Sequence, residues 1–180
     1  MAGRPSPDCG TTLLTNYGIY GITSTRNRGG HFRVAADWGP LIDVSRRDAI
    51  GATVFASLDA DGLLIGPSIR FRRTLANPGA SLELSVGASL KSSDSRLLPS
   101  PYGMVKWSPA RGYGFVLRPE WRRSREYECN VAPVTCPQVT RGGLALSAGL
   151  EFGGTTGMIA TGATVVGVVA LVHAFVRGDY

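Results

Sequence analysis

The chain has few of the residues that carry most protein chemistry. Of its 180 residues, three are cysteine and two are histidine, and charged residues make up 18%, below the value of about a quarter that is usual in soluble domains. Lysine occurs only at Lys91 and Lys106, so arginine supplies nearly all of the formal net charge of +6. The apolar fraction of 43% is enough to fill a core, which excludes an intrinsically disordered chain.

The sequence also lacks the short motifs of common enzyme classes. It has no G-x-S-x-G, P-loop, G-x-G-x-x-G or H-E-x-x-H motif, so we expect no catalytic residue, no cofactor and no enzyme activity. The only histidines are His31 and His173, and there is no C-x-x-C, which argues against a metal site. The segment from Asp59 to Gly62 opens like a calcium loop, but the later acidic ligands are missing, and a hairpin turn is predicted instead.

The N-terminus and the cysteines bear on the compartment. Met1–Gly10 has no apolar segment and does not read as a signal peptide. Cys129 and Cys136 bracket a Pro-containing segment, and a disulfide between them would close a loop of eight residues and stabilise the fold by roughly 2–3 kcal/mol. Such a bond indicates an oxidising compartment such as the periplasm. The alternative is two free thiols.

Most of the chain alternates apolar and polar residues with period two, which is typical of β-strands. In the segment 49–58, for example, Ile50, Val54 and Leu58 oppose Thr53 and Ser57. The turns between segments are rich in Gly, Asn and Pro, and such short connections favour an antiparallel meander. We therefore predict a mainly β domain of seven or eight strands over residues 16–153, forming a barrel or half-barrel. It follows an extension at 1–15 and contains a long loop at 125–140.

The period changes at Gly157. No residue from Gly157 to Val176 is charged, and the segment is long enough for a helix that crosses a membrane. Small residues recur at spacings of three and four and predict a face on which another helix packs: Ala160, Ala163, Gly167, Ala170 and Ala174. We expect residues 154–180 to form a membrane-associated helix and tail, with packing across the apolar face of the sheet as the alternative.

Arginine is concentrated in two clusters. The first contains Arg70, Arg72 and Arg73, and the second contains Arg118, Arg122, Arg123 and Arg125. Three interpretations compete: a solvated or partner-binding strand face, ion pairs with Glu83 and Glu120 inside a barrel, or contact with anionic lipid headgroups. We favour the solvated or partner-binding face. Nucleic-acid binding is not expected, since no recognition helix or aromatic RNA-binding motif accompanies the arginines.

Parts of the sequence resemble a group of small bacterial proteins. The similarity lies in the segments 47–51, 70–75 and 81–87, with Asp61 and Gly66 between them. These segments resemble uncharacterised β-rich proteins of high-GC bacteria that end in a Gly/Ala/Val-rich apolar helix. The resemblance implies no activity and no catalytic residues. Those relatives usually begin with a signal peptide, and some bacteria of this kind are phototrophs.

These observations favour a non-enzymatic structural subunit of a membrane-associated complex. A photosynthetic reaction-centre and antenna assembly is one concrete version. Its partners would be other membrane-protein subunits and membrane lipid, and the β domain would be periplasmic. Two alternatives remain, namely a small outer-membrane-type β-barrel and a soluble barrel that binds an apolar ligand.

Overall fold

The computed structural model describes residues 10–25, 31–59, 62–77, 79–91, 99–127, 130–131, 134–135 and 138–154, together with residues 157, 159 and 163. Eight long strands dominate this part of the chain. They are β1 (Thr11–Ser24), β2 (His31–Asp43), β3 (Asp48–Asp59), β4 (Gly62–Thr74), β5 (Ser81–Lys91), β6 (Ser100–Ala110), β7 (Tyr113–Tyr127) and β10 (Gln138–Gly153). Two short strands, β8 (Asn130–Val131) and β9 (Val134–Thr135), pair with each other between β7 and β10.

The eight long strands close into one antiparallel barrel. Each strand pairs with its neighbours in the chain, and β10 pairs with β1 to complete the ring. Following the paired residues once around from Leu14 leads to Ser24, so the strands are staggered by ten residues (24 − 14) per circuit. A stagger of this kind requires tilted strands, about 35–45° from the barrel axis. The predicted meander is thus confirmed, and it is a closed barrel.

The two ends of the barrel differ. At one end, here called the turn end, β1 begins, β10 ends, and the connections 44–47, 75–80 and 111–112 join neighbouring strands. At the opposite end, called the loop end, lie the connections 25–30, 60–61, 92–99 and 128–137. The two longest connections therefore share the loop end, and the beginning and end of the barrel sequence share the turn end.

The apolar core inside the barrel is small. Its larger cluster joins two aromatic rings, Phe55 and Tyr102, with Tyr20, Met104 and Val116. Phe55 lies on β3 and Tyr102 lies on β6, and the centroids of their aromatic rings are 5.5 Å apart. A second cluster of Leu14, Leu41 and Ala49 contributes further apolar packing. Most of the remaining interior is polar, and it is described below.

Several strand bounds differ from the predicted ones. The first strand begins at Thr11 rather than at residue 16, so less of the N-terminal segment lies outside the barrel. β7 and β10 also extend into the predicted loop 125–140, since their ladder continues as far as the pair Tyr127 and Gln138. The sequence does not alternate in that stretch, but backbone hydrogen bonding to a neighbouring strand requires no alternation.

The predicted C-terminal helix lies almost wholly outside the described residues. Gly154, Gly157, Ile159 and Ala163 are described there, and they are too few to define a helix. Within the part of the chain that the structure describes, no helix has the length and hydropathy needed to cross a membrane.

Candidate functional site

The barrel lumen is lined by charged side chains. Five carboxylates have buried side chains and each forms an ion pair: Asp37, Asp59, Glu83, Glu120 and Glu151. Their five cationic partners point inward from four strands: Arg33, Arg70, Arg72, Lys106 and Arg122. These residues occupy alternate positions whose intervening neighbours face outward, so the period-two pattern of the strands places them inside.

Arg70 is the centre of the first group of ion pairs. Its Nη2 lies 3.0 Å from Oδ2 of Asp37, and its Nη1 lies 3.1 Å from Oε2 of Glu83. The other oxygen of Glu83 accepts a hydrogen bond from Nε of Arg72 at 2.9 Å and forms an ion pair with its Nη2. One guanidinium thus links strands β2 and β5, and Arg72 extends the group toward the turn end.

Glu151 is the centre of the second group. It forms an ion pair with Lys106, whose Nζ lies 3.0 Å from Oε2. The same carboxylate accepts hydrogen bonds from the Tyr20 hydroxyl at 2.5 Å and from Nδ2 of Asn16 at 3.0 Å. Three side chains from two other strands therefore form hydrogen bonds or an ion pair with this one buried carboxylate. A charge buried inside a protein requires such partners.

A third group lies nearer the loop end. Nη2 of Arg33 is 3.0 Å from Oδ2 of Asp59 and 2.9 Å from Oε2 of Glu120. Arg122 reaches the same two carboxylates, at 2.7 Å from Asp59 and 3.4 Å from Glu120. The hydroxyl of Ser89 donates to Oε1 of Glu120 at 2.8 Å. This group connects β2, β3, β5 and β7 across the lumen.

Arg118 is set apart from these groups. It projects from β7 to the rings of Phe55 and Tyr102, and its Cζ lies 3.2 Å and 3.6 Å from their centroids. Phe55 is on β3, which is four strands from β7 in either direction around the ring. The side chain therefore crosses the middle of the lumen and closes it.

A vestibule of about 570 Å³ opens at the turn end. Its polar lining includes Asn16, Arg72, Glu83 and Lys106. Arg72 and Lys106 already pair with lumen carboxylates, and a third cation, Arg111, lines the vestibule at its exposed rim. It is the turn-end mouth of a barrel that is closed further inside.

The outer wall of the barrel is apolar. Large hydrophobic side chains are exposed on every one of the eight long strands: Leu13, Ile19, Phe32, Ile42, Ile50, Val54, Leu58, Leu63, Ile65, Ile69, Leu84, Val86, Val105, Trp107, Tyr113, Phe115, Leu117, Trp121, Leu144, Leu146 and Leu150. Soluble monomers rarely expose contiguous apolar surface of this extent. The usual arrangement of a soluble protein is thus reversed, with charges inside and hydrophobic groups outside.

Aromatic residues are grouped on the outer wall near the turn end. Tyr17 is paired in register with Phe152, which is paired in turn with Tyr113. On the next strands, Trp107 stacks on Phe115 with ring centroids 5.9 Å apart and an interplanar angle of 19°. The five rings form a contiguous patch, here called the aromatic patch, on β1, β10, β7 and β6.

The structure separates the predicted arginine clusters. Arg70 and Arg118 are buried, each 1% exposed, and Arg72 and Arg122 are partly buried in ion pairs. The preferred interpretation of a solvated or partner-binding face was wrong for these four, because they occupy inward positions of a closed barrel. The interpretation of ion pairs with Glu83 and Glu120 inside a barrel describes Arg70, Arg72 and Arg122 correctly.

The remaining predicted contact residues keep their status as predictions. Arg73 and Arg123 are exposed, and the side chain of Arg125 lies outside the described part. Cys129 and Cys136 also lie outside it, so the disulfide stays a prediction. The same is true of the helix-packing face at Ala160, Gly167, Ala170 and Ala174, while Ala163 is described and exposed. Among the residues described, no cluster of three side chains is suited to a metal ion.

The sequence predicted only part of the arrangement in the lumen. Alternation correctly separated Arg33 and Asp37 from Phe32 and Val34. Alternation alone did not decide which face is enclosed, and an enclosed polar face was one of the alternatives rather than the preferred interpretation. The sequence did contain a signal for the enclosed face. Along the strands, one face has few polar residues while the other has Arg, Glu and Ser, and membrane barrels turn such an apolar face outward and such a polar face inward.

Comparisons with known proteins show no family for this chain. No protein-family model matches the chain, and no curated protein matches it. A solved structure described as "De novo design of transmembrane beta-barrels" is similar over 79% of this chain and 95% of its own, with 11% sequence identity and a TM-score of 0.42. The fold defines the chain as an eight-stranded antiparallel β-barrel of meander topology.

Proposed function

We propose that this protein is a small outer-membrane-type β-barrel that serves as a structural membrane anchor and neither catalyses a reaction nor forms an open pore. The observation that carries the proposal is the reversed distribution of polarity, with buried ion pairs in the lumen and exposed hydrophobic groups on all eight strands. A closed barrel satisfies its backbone hydrogen bonds internally, which a spanning structure in lipid requires.

The dimensions of the barrel agree with this role. A membrane-spanning β-strand needs about 9–11 residues, and the shortest long strands, β5 and β6, have 11. The aromatic patch at the turn end lies where such rings sit in membrane barrels, at the boundary between hydrocarbon and headgroups. Trp121 marks the other boundary, since it is exposed on β7 toward the loop end.

The apolar wall favours lipid over a single protein partner as its surroundings. A partner subunit covers one side of a barrel, but the exposed hydrophobic side chains here extend around the whole circumference. Loop-end connections are the parts that a membrane barrel presents to other proteins. We therefore place contacts with other membrane subunits there and lipid against the wall, and membership of a photosynthetic assembly stays a prediction.

The soluble carrier of an apolar ligand does not fit this lumen. Such a carrier needs an apolar cavity, whereas Arg70, Glu83 and Glu151 pair inside this one. Arg118 further divides the interior by reaching the opposite wall. No comparable observation favours this alternative.

Depth-dependent fluorescence quenching in vesicles tests the proposal. Variants that keep one tryptophan, Trp107 or Trp121, with phenylalanine at the other two positions, report on the two boundaries of the wall. Leu117→Trp in a background without the native tryptophans reports on the middle. We expect lipids brominated near the headgroups to quench Trp107 and Trp121 most, and lipids brominated deep in the chain to quench the Leu117→Trp variant most.

If none of the three positions is quenched by brominated lipid, and the purified chain is monodisperse without detergent, the wall does not face lipid and the proposal is wrong. Circular dichroism of each variant in the same vesicles verifies that the β-barrel is intact.

A further inference from the structure

Among the described residues, the lumen contains one cation that no carboxylate neutralises. The five buried carboxylates and the five cations described above pair with each other. Arg118 is the sixth cation, and within the described residues it has no carboxylate at ion-pair distance although it is 1% exposed. A guanidinium does not lose its proton inside a protein, so its charge needs another partner.

The surroundings of Arg118 supply ring contacts but no hydrogen-bond acceptor for its Nε and Nη2 atoms among the described residues. The rings of Phe55 and Tyr102 contact the guanidinium by cation–π interaction, which offsets part of the cost of burial. Its Nε and Nη2 atoms are buried and have no hydrogen-bond partner among the residues described. Leaving such donors unpaired is costly, more so because they carry charge.

Two further unpaired donors come from neighbouring positions. Ser147 is paired in register with Arg118 across β10 and β7, and its hydroxyl is buried without a partner in the described part of the barrel. Nη1 of Arg33 is also buried and has no hydrogen-bond partner among the described residues. The other terminal nitrogen of Arg33 binds Glu120, two residues from Arg118 on the same inward face of β7.

We propose that Arg118 and Ser147 bind a small monovalent inorganic anion of about the size of chloride inside the barrel. One excess positive charge calls for one negative charge, and guanidinium and hydroxyl groups are suitable donors for it. Large anions are disfavoured because the lumen is packed with side chains around this position. The rings of Phe55 and Tyr102, with centroids 3.2 Å and 3.6 Å from Cζ of Arg118, already occupy space beside the guanidinium.

Thermal unfolding of the full chain in detergent tests the site. Chloride is titrated against gluconate at constant ionic strength, because gluconate is too large for the proposed position. We expect a saturable rise of the wild-type Tm by roughly 5 °C as chloride replaces gluconate. Arg118→Met should lose this dependence, and Ser147→Ala should need a higher chloride concentration for the same shift.

The matched control is Arg73→Met, which removes an exposed arginine outside the lumen and leaves the lumen charge unchanged. It should keep the chloride dependence of the wild type. Excess ³⁵Cl line width in the presence of folded wild-type protein gives a second measurement that needs no variant to fold. Equal Tm values in chloride and gluconate, or the absence of excess line width, would overturn the anion site. Either result leaves the membrane proposal intact, since no lipid contact is measured.

Discussion

At the scale of single residues, the lumen depends on buried carboxylates that are each paired with a cation. Glu151 illustrates this, because Lys106, Tyr20 and Asn16 all bind its carboxylate. Glu151→Gln removes the negative charge while keeping the shape, and it leaves the Lys106 ammonium buried beside a neutral amide. We expect a loss of roughly 3–5 kcal/mol in unfolding free energy, measured by urea titration in detergent.

Two control variants test whether the loss in Glu151→Gln comes from the unpaired buried charge. Arg73→Gln breaks an ion pair with Asp48 that is 3.8 Å long, with the Arg73 side chain 58% exposed, and it should cost less than about 1 kcal/mol. The double variant Lys106→Met with Glu151→Gln should recover much of the stability lost in Glu151→Gln, since it removes the unpaired charge. An equal loss in the single and double variants would show that packing, rather than charge, is the cause.

Single residues also show which features of the lumen the sequence could predict. Alternation correctly predicted that Arg70 and Ile69 face opposite sides of their strand. It did not predict that Arg70 binds Asp37, because that contact depends on which strands are neighbours and how they are staggered. Period two is the same whether the polar face is inside or outside, so Arg70 and Arg118 were assigned to the wrong side.

At the scale of a strand, glycine is required where neighbouring backbones approach closely. A Cβ added at Gly66 would lie 1.9 Å from the backbone oxygen of Ala88, which cannot move without shifting β5. Gly66→Ala should therefore destabilise the barrel by roughly 1–3 kcal/mol. Gly21→Ala is the control, because nothing lies within 4 Å of its added Cβ, and it should leave unfolding by urea unchanged or slightly delayed.

The outer wall makes a second prediction at this scale. Leu117 is exposed on β7 between Phe115 and Trp121, near the middle of the proposed spanning region. Leu117→Arg should cost roughly 2–4 kcal/mol of folding free energy in vesicles, and Thr23→Arg, at an exposed position near the loop end of β1, roughly 0–1 kcal/mol. Similar small losses at both positions would mean that the wall faces water.

At the scale of the whole molecule, the sequence indicated the number of strands and their meander order but left closure open. Closure requires β1 to pair with β10, as in the pair Tyr17 and Phe152. No local signal records a contact between the two ends of a meander, since turn residues specify only adjacent strands. The long extension of β7 and β10 was missed for the related reason that their ladder continues where alternation has stopped.

The closed lumen leads to the last prediction, which concerns transport. Arg118 reaches from β7 to Phe55 on the opposite wall, and Tyr102 packs against both. Barrels of eight strands have interiors that side chains can fill, so the purified chain should show no steady ion conductance in planar bilayers. The triple variant Phe55→Ala, Tyr102→Ala and Arg118→Ala removes the three side chains that meet at this level and should conduct where it folds. Step conductance in the wild type, with insertion verified by the fluorescence assay, would show that the lumen opens and that the protein is a channel rather than an anchor.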